Sequence, residues 1–139
     1  MRKLYKVIPE ISRVPISHEE AKNSYNKISK WYDVLSSRSE RKFIDIGLQK
    51  LNVKKGDIVL EIGYGTGHAI IKMAQSVGKT GKVYGIDISD GMYRITHEKV
   101  KKANVDNRVL LRCEDALNLH FESNFFDAIF ISFTLSKFV

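Results

Sequence analysis

At 139 residues and 43% apolar content, the chain holds enough material for one domain around a single buried core. Its one cysteine, Cys113, excludes an internal disulfide, no cysteine and histidine spacing suits a metal site, and a reducing, cytoplasmic setting is expected. The formal charge of +7 is uneven: residues 1–55 hold 13 Lys/Arg against 6 Asp/Glu, and residues 56–139 hold 10 against 10, so the whole excess lies in the N-terminal part.

A basic flank admits nucleic acid, an acidic substrate or an anionic membrane surface as partners. These lysines are scattered and not interleaved with aromatics, so a solvated basic face is the preferred reading and nucleic acid is not expected. Lys6, Pro9 and Glu10 interrupt the apolar residues near the N-terminus before a signal-peptide core forms. The longest apolar run, 128–135, is far short of a membrane span and reads as a buried strand.

Residues 1–17 show no clear period and contain both prolines, Pro9 and Pro15, so they read as an extended arm. Ser17 with Glu20 three residues on is a helix-start pattern, and 21–33 is compatible with helix. A second helix is expected over about 39–51, with Phe43, Ile44, Gly47, Leu48 and Leu51 on one face. After Gly56, the near-continuous apolar run 58–62 is of the kind found in parallel strands covered on both faces.

Gly63 to Gly67 form a glycine-rich turn, followed by helical spacing through Ile70, Ile71, Ala74 and Val77. Gly78 and Gly81 bracket a turn into a second strand, 82–88, and Ser89 caps a helix over about 90–103. A third strand is expected at 108–113 and a fourth at 126–133, joined by a connection, 115–125, that holds at most a turn or two of helix. Alternating strands and helices indicate an α/β, Rossmann-like, parallel doubly wound sheet that binds ligands at the carboxyl ends of its strands.

The chemistry is concentrated in Glu61-Ile62-Gly63-Tyr64-Gly65-Thr66-Gly67, between the first strand of that alternation and its helix. Glycines serve where backbone must approach a ligand or adopt positive φ, and the following helix offers unpaired N–H groups to a phosphate or a carboxylate. A nicotinamide-dinucleotide fingerprint would want Gly-x-Gly-x-x-Gly, but here the third glycine comes one place early and His68 takes its position. Two more acids, Asp87 and Asp115, end the next two strands.

This E-x-G-x-G-x-G pattern with its two strand-end acids resembles the first motifs of class I S-adenosyl-L-methionine-dependent methyltransferases. Phe126-Asp127 at the fourth strand is similar to the family's next strand opening. Tyr25-Asn26-Lys27-Ile28-Ser29-Lys30-Trp31-Tyr32-Asp33 looks like the Tyr-Asp-x-x-Ala-x-x-Tyr-Asp lid helix of the ubiquinone and menaquinone biosynthesis C-methyltransferase branch, with Asn26 and Ser29 departing from it. The resemblance covers about residues 22–135.

What it implies is a set of roles. Gly63, Gly65 and Gly67 line the methionine moiety, Glu61 orients that loop and the cofactor's ammonium group, and Asp87 holds the ribose. Ile88 lies against one adenine face, Asp115 and the backbone of Ala116 read the adenine edge, and Tyr32 closes over the methionine end. Residues 1–36 are then an arm and lid helix, and 37–139 the cofactor-binding Rossmann-like domain.

The family fold continues past the fourth strand with the segments that recognise a methyl acceptor, so the chain reads as truncated, holding cofactor without the acceptor-binding half. The residues leave the acceptor open among a quinone precursor, another small molecule, RNA and protein. Self-association or a partner chain is expected through the bare edge of the fourth strand. The alternative reading is a non-catalytic nucleotide-binding or interaction module that pairs through that edge. Cys113 reads as a small buried residue, because no base is placed to activate it.

Overall fold

In the computed structural model, which describes residues 5–7, 17, 19, 20, 22, 23 and 38–132, the chain forms a five-stranded, all-parallel sheet. The strands are β1 (Tyr5–Val7), β2 (Ile58–Ile62), β3 (Lys82–Asp87), β4 (Val109–Cys113) and β5 (Ala128–Ser132), in the order β1-β5-β2-β3-β4. Among the described residues, residues 19, 20, 22 and 23 are helical, and the helices with full bounds are α1 (Arg38–Leu51), α2 (His68–Val77) and α3 (Asp90–Lys102).

The helix ends follow local chemistry. Ser17 and Glu20 form the reciprocal capping box: the Glu20 N–H donates to Ser17 Oγ at 3.1 Å and the Ser17 N–H to Glu20 Oε2 at 2.8 Å. Ser89 Oγ accepts the Met92 N–H at 3.2 Å and starts α3. Asn104, with φ 56°, leaves that helix through the left-handed region that asparagine tolerates.

The right-handed crossovers from β2 through α2 to β3, and from β3 through α3 to β4, put both helices on one face of the sheet. Their core joins Val59, Val83, Ala128 and Phe130 from the sheet to Ile70, Met73 and Val77 of α2 and Met92 and Val100 of α3. From β4 the chain returns past β3 and β2 to β5, and this connection covers the opposite face with Leu119, Phe121 and Phe126 against Leu60 and Ile86. As its length requires, it holds only a short 3-10 turn, Ala116–Asn118. Tyr84 meets Phe121, Phe125 and Phe126 edge-on there, with ring centroids 5.8, 5.6 and 5.6 Å away. Asp127 fixes the return: its N–H donates to the Ile58 carbonyl and its Oδ2 accepts the Ile58 N–H, both at 2.8 Å.

Three expectations are corrected. The fourth strand of the sequence reading, β5, is not bare: β1, from the segment read as an unpaired arm, pairs with it in parallel, Tyr5 opposite Phe130 and Val7 opposite Ser132. Three residues are too few to show a period, so the strand left no pattern to read. Cys113 is exposed rather than buried, because β4 is the outer strand on its side. Phe43, assigned to the packed face of α1, is 48% exposed, while Gly47 and Leu51 of that face are buried.

Candidate cofactor site

Strand order reverses at β2, whose neighbours β3 and β5 are reached by connections on opposite faces. Such a switch point opens a crevice at the carboxyl ends of the strands, and the glycine loop starts there. Its three glycines all adopt positive φ: 75° at Gly63, 53° at Gly65 and 87° at Gly67. The Gly63 N–H donates to the Ile86 carbonyl at 2.7 Å, so the loop leaves β2 still tied to β3. At Gly67, a Cβ would come within 2.6 Å of Thr96 Cγ2, so glycine is required by space as well as by conformation.

Gly67 then caps α2 without any side-chain hydrogen bond, and the first turn of α2 carries no acid. The unpaired amides and positive dipole end of this helix favour an anion in front of the loop.

Glu61 is 1% exposed, and its Oε2 has no hydrogen-bond partner among the described residues. Burial, with the nearby charge of Asp87 adding to it, pushes its carboxyl well above the usual range. A buried carboxylate oxygen without a partner costs about 1–3 kcal/mol, a cost that a bound cationic donor would remove.

Asp87 ends β3 at 6% exposure. Its Oδ2 accepts the Gly65 N–H and its Oδ1 the Ser89 N–H, both at 2.9 Å. Each oxygen keeps a further lone pair, as a pair of vicinal hydroxyls would need. Ile88 follows, half-buried.

On the next strand the Glu114 N–H donates to the Asp87 carbonyl at 3.0 Å, which seats the residues after β4 beside Asp87. Asp115 Oδ1 accepts the Leu117 N–H at 2.9 Å, which organises the turn that begins at Ala116, and both Asp115 and Ala116 are half-buried. The structure therefore brings Glu61, Gly63, Gly65, Gly67, Asp87, Ile88, Asp115 and Ala116 to one edge of the sheet. Tyr32 and the lid segment 25–33 lie outside the described residues.

Two contributors escaped the sequence reading. Tyr64, 3% exposed, lies across β3 over Gly85 and donates to the Arg112 carbonyl at 3.4 Å. Thr96, fully buried on α3, donates from Oγ1 to the Gly65 carbonyl at 2.7 Å. A threonine one turn before Val100 on the buried face of α3 was the available clue. His68 opens α2 but turns outward, its Nε2 2.9 Å from Asp45 Oδ1, where Lys72 also binds at 2.6 Å. The Cys113 thiol lies 2.9 Å from Asp90 Oδ1; although the residue is exposed, partial covering of its sulfur together with that carboxylate pushes it up to about 12, which disfavours the thiolate. Among the described residues no group of His, Cys, Asp and Glu is placed to hold a metal ion, and no helix is long and apolar enough to cross a membrane.

Known proteins resemble this chain in sequence and in fold. The family profile described as "Methyltransferase domain" matches residues 59–139. The demethylmenaquinone methyltransferase of Geobacillus sp. (strain WCH70) is 35% identical over 121 residues, covering 84% of this chain and 51% of that protein. The chain thus spans about half the length of the curated relatives it matches. Among solved structures, a SAM-dependent methyltransferase from Aquifex aeolicus superposes with a TM-score of 0.64 at 28% identity, over 76% of this chain and 57% of that one. The [4+2]-cyclase SpnF shares the fold at a TM-score of 0.69 and 18% identity, over 86% of this chain and 51% of its own. With the profile covering more than half of the residues and the glycine loop and strand-end acids in place, the chain belongs to the class I S-adenosylmethionine-dependent methyltransferases.

Proposed function

We propose that the chain holds S-adenosylmethionine at this edge for methyl transfer to a small-molecule acceptor of the quinone-precursor class. The observation that carries the cofactor part is the buried Glu61 carboxyl group, whose Oε2 has no partner among the described residues, beside a left-handed glycine turn. Its chemistry suits the ammonium group of a methionine moiety. The open N-terminus of α2 suits the carboxylate of the same moiety, and the spare lone pairs of Asp87 suit two ribose hydroxyls. Asp115 and the Ala116 backbone border the adenine edge, and Ile88 offers an apolar surface to the ring.

When bound, the cofactor supplies a methyl group already activated on a sulfonium. The chain's residues then have no covalent step to perform: they fix the sulfonium's position, and rate comes from alignment with the acceptor and exclusion of water. Tyr32, in the segment resembling the family's lid helix, would close the methionine end. The acceptor class rests on the 35% identity to demethylmenaquinone methyltransferases and on the motif at residues 25–33.

Calorimetric titration with S-adenosylhomocysteine and, separately, with NAD tests the first part. Binding of the former and not the latter is expected, and tight NAD binding without a response to S-adenosylhomocysteine would sink it. Transfer of a radiolabelled methyl group to a demethylated naphthoquinone, set against a panel of unrelated acceptors, tests the second.

A further inference from the structure

Gly65 is held from two sides. Its N–H donates to Asp87 Oδ2 at 2.9 Å, and its carbonyl accepts from Thr96 Oγ1 at 2.7 Å. The same threonine backs the turn at Gly67, where Cγ2, Oγ1 and Cβ would lie 2.6, 3.0 and 3.2 Å from an added Cβ. Thr96 is fully buried in α3, a helix that otherwise packs with Met92 and Val100.

A helical threonine commonly returns its hydroxyl to the carbonyl a turn earlier. This one spends it on a loop 31 residues away. The two holds on Gly65 also differ in what a ligand does to them. Asp87 serves the Gly65 and Ser89 N–H groups and keeps further lone pairs that ribose hydroxyls would occupy, so its carboxylate would be shared between loop and ligand. Thr96 approaches the opposite pole of Gly65 from within the core, where no ligand reaches it.

We propose that Thr96 is a positioning residue: its hydroxyl keeps the Gly65–Gly67 turn in its left-handed form while Asp87 is shared with the ribose, and so sets the affinity for the methionine part of the cofactor. This rests on reading 63–67 as the cofactor loop.

The test compares S-adenosylhomocysteine with adenosine, which lacks the methionine part, on the full chain and on Thr96→Val and Thr96→Ser. Thr96→Val keeps the shape and removes the donor. It should weaken S-adenosylhomocysteine about three- to tenfold, the range that one net hydrogen bond supplies, and leave adenosine within about twofold. Thr96→Ser restores the donor and should recover most of the lost affinity. Amide exchange at Gly65 to Gly67 should quicken in the valine variant only.

Equal loss for both ligands, or no loss for either, would overturn the proposal, since general destabilisation does not separate them. If Thr96→Val fails to fold, Thr96→Ser decides alone: near-native affinity for S-adenosylhomocysteine supports the hydroxyl's role, and a selective fall in it despite the retained donor rejects that role. A native chain that binds neither ligand overturns the cofactor reading itself, and this is visible before any variant is made.

Discussion

Glu61 and Asp87 are buried carboxyls at the ends of neighbouring parallel strands, and the charge on Asp87 raises the proton affinity of Glu61 beyond what burial alone would do. Above the ordinary carboxyl range the unfolded chain has lost the Glu61 proton while the folded chain retains it. The folded state then binds more protons, so stability falls as pH rises from about 4.5 toward the raised folded value. Glu61→Gln removes this slope. Its thermal midpoint should exceed that of the native chain near pH 7 by roughly 3–6 °C, the shift of about 1 kcal/mol in a domain of this size. The same change should weaken S-adenosylhomocysteine about tenfold or more by removing the anion proposed to pair with its ammonium. Melting curves between pH 5 and 8 together with calorimetry check both effects, and a destabilised variant with native affinity would refute the assignment.

The same relationship predicts a proton count. An ammonium group placed against Glu61 favours its charged form, so binding should release a proton in the pH window where the free protein keeps one. Titrations of S-adenosylhomocysteine in two buffers of very different ionisation enthalpy should give apparent enthalpies that differ in proportion. With Glu61→Gln that difference should vanish.

Asp87 braces the loop, its two oxygens accepting the Gly65 and Ser89 N–H groups, and in the proposed reading it also holds the ribose. Asp87→Ala strands both donors at a buried position. It should lower stability by about 1–3 kcal/mol and weaken binding of S-adenosylhomocysteine by a similar amount. Asp87→Asn keeps an acceptor and should lose less of both. A variant that loses stability and binds normally would mean that Asp87 only braces the loop.

What the sequence made legible follows from where its physics is local. The capping box at Ser17 and Glu20, the cap at Ser89 and the strand 58–62 depend on neighbours within a few residues, and each is where its pattern places it. The acids Glu61, Asp87 and Asp115 converge because each lies at or within two residues of a strand's carboxyl end, and in a parallel sheet all such ends share an edge. The position of Thr96 on the buried face of α3 was a clue, but its partner, Gly65, was illegible because only the packing of α3 brings it near. Phe43 was assigned to a packed face because period alone does not say how much of a helix face the sheet will cover. Cys113 looked buried because alternation within a strand carries no information about which strand is outermost.

The N-terminal strand carries the last prediction. β1 pairs in parallel along Phe130, Ile131 and Ser132, and so occupies the outer side of a strand whose other side is taken by β2. Residues 128–132 hold no proline and no charge, and Ile129, Phe130 and Ile131 have high strand propensity. Bared, such an edge is a template for another chain. Removing residues 1–8 should therefore raise self-association, read as a concentration-dependent increase in sedimentation coefficient over the full chain. The loop 63–67 and the acids at the strand ends are built without β1, so affinity for S-adenosylhomocysteine should stay within about threefold, less than one net hydrogen bond. Adding back a peptide of residues 1–8 should reverse the association, since it restores the missing backbone partners. A shortened chain that sediments as the full one does at every concentration would show that β1 protects nothing, and that the β5 edge is kept from pairing by other means.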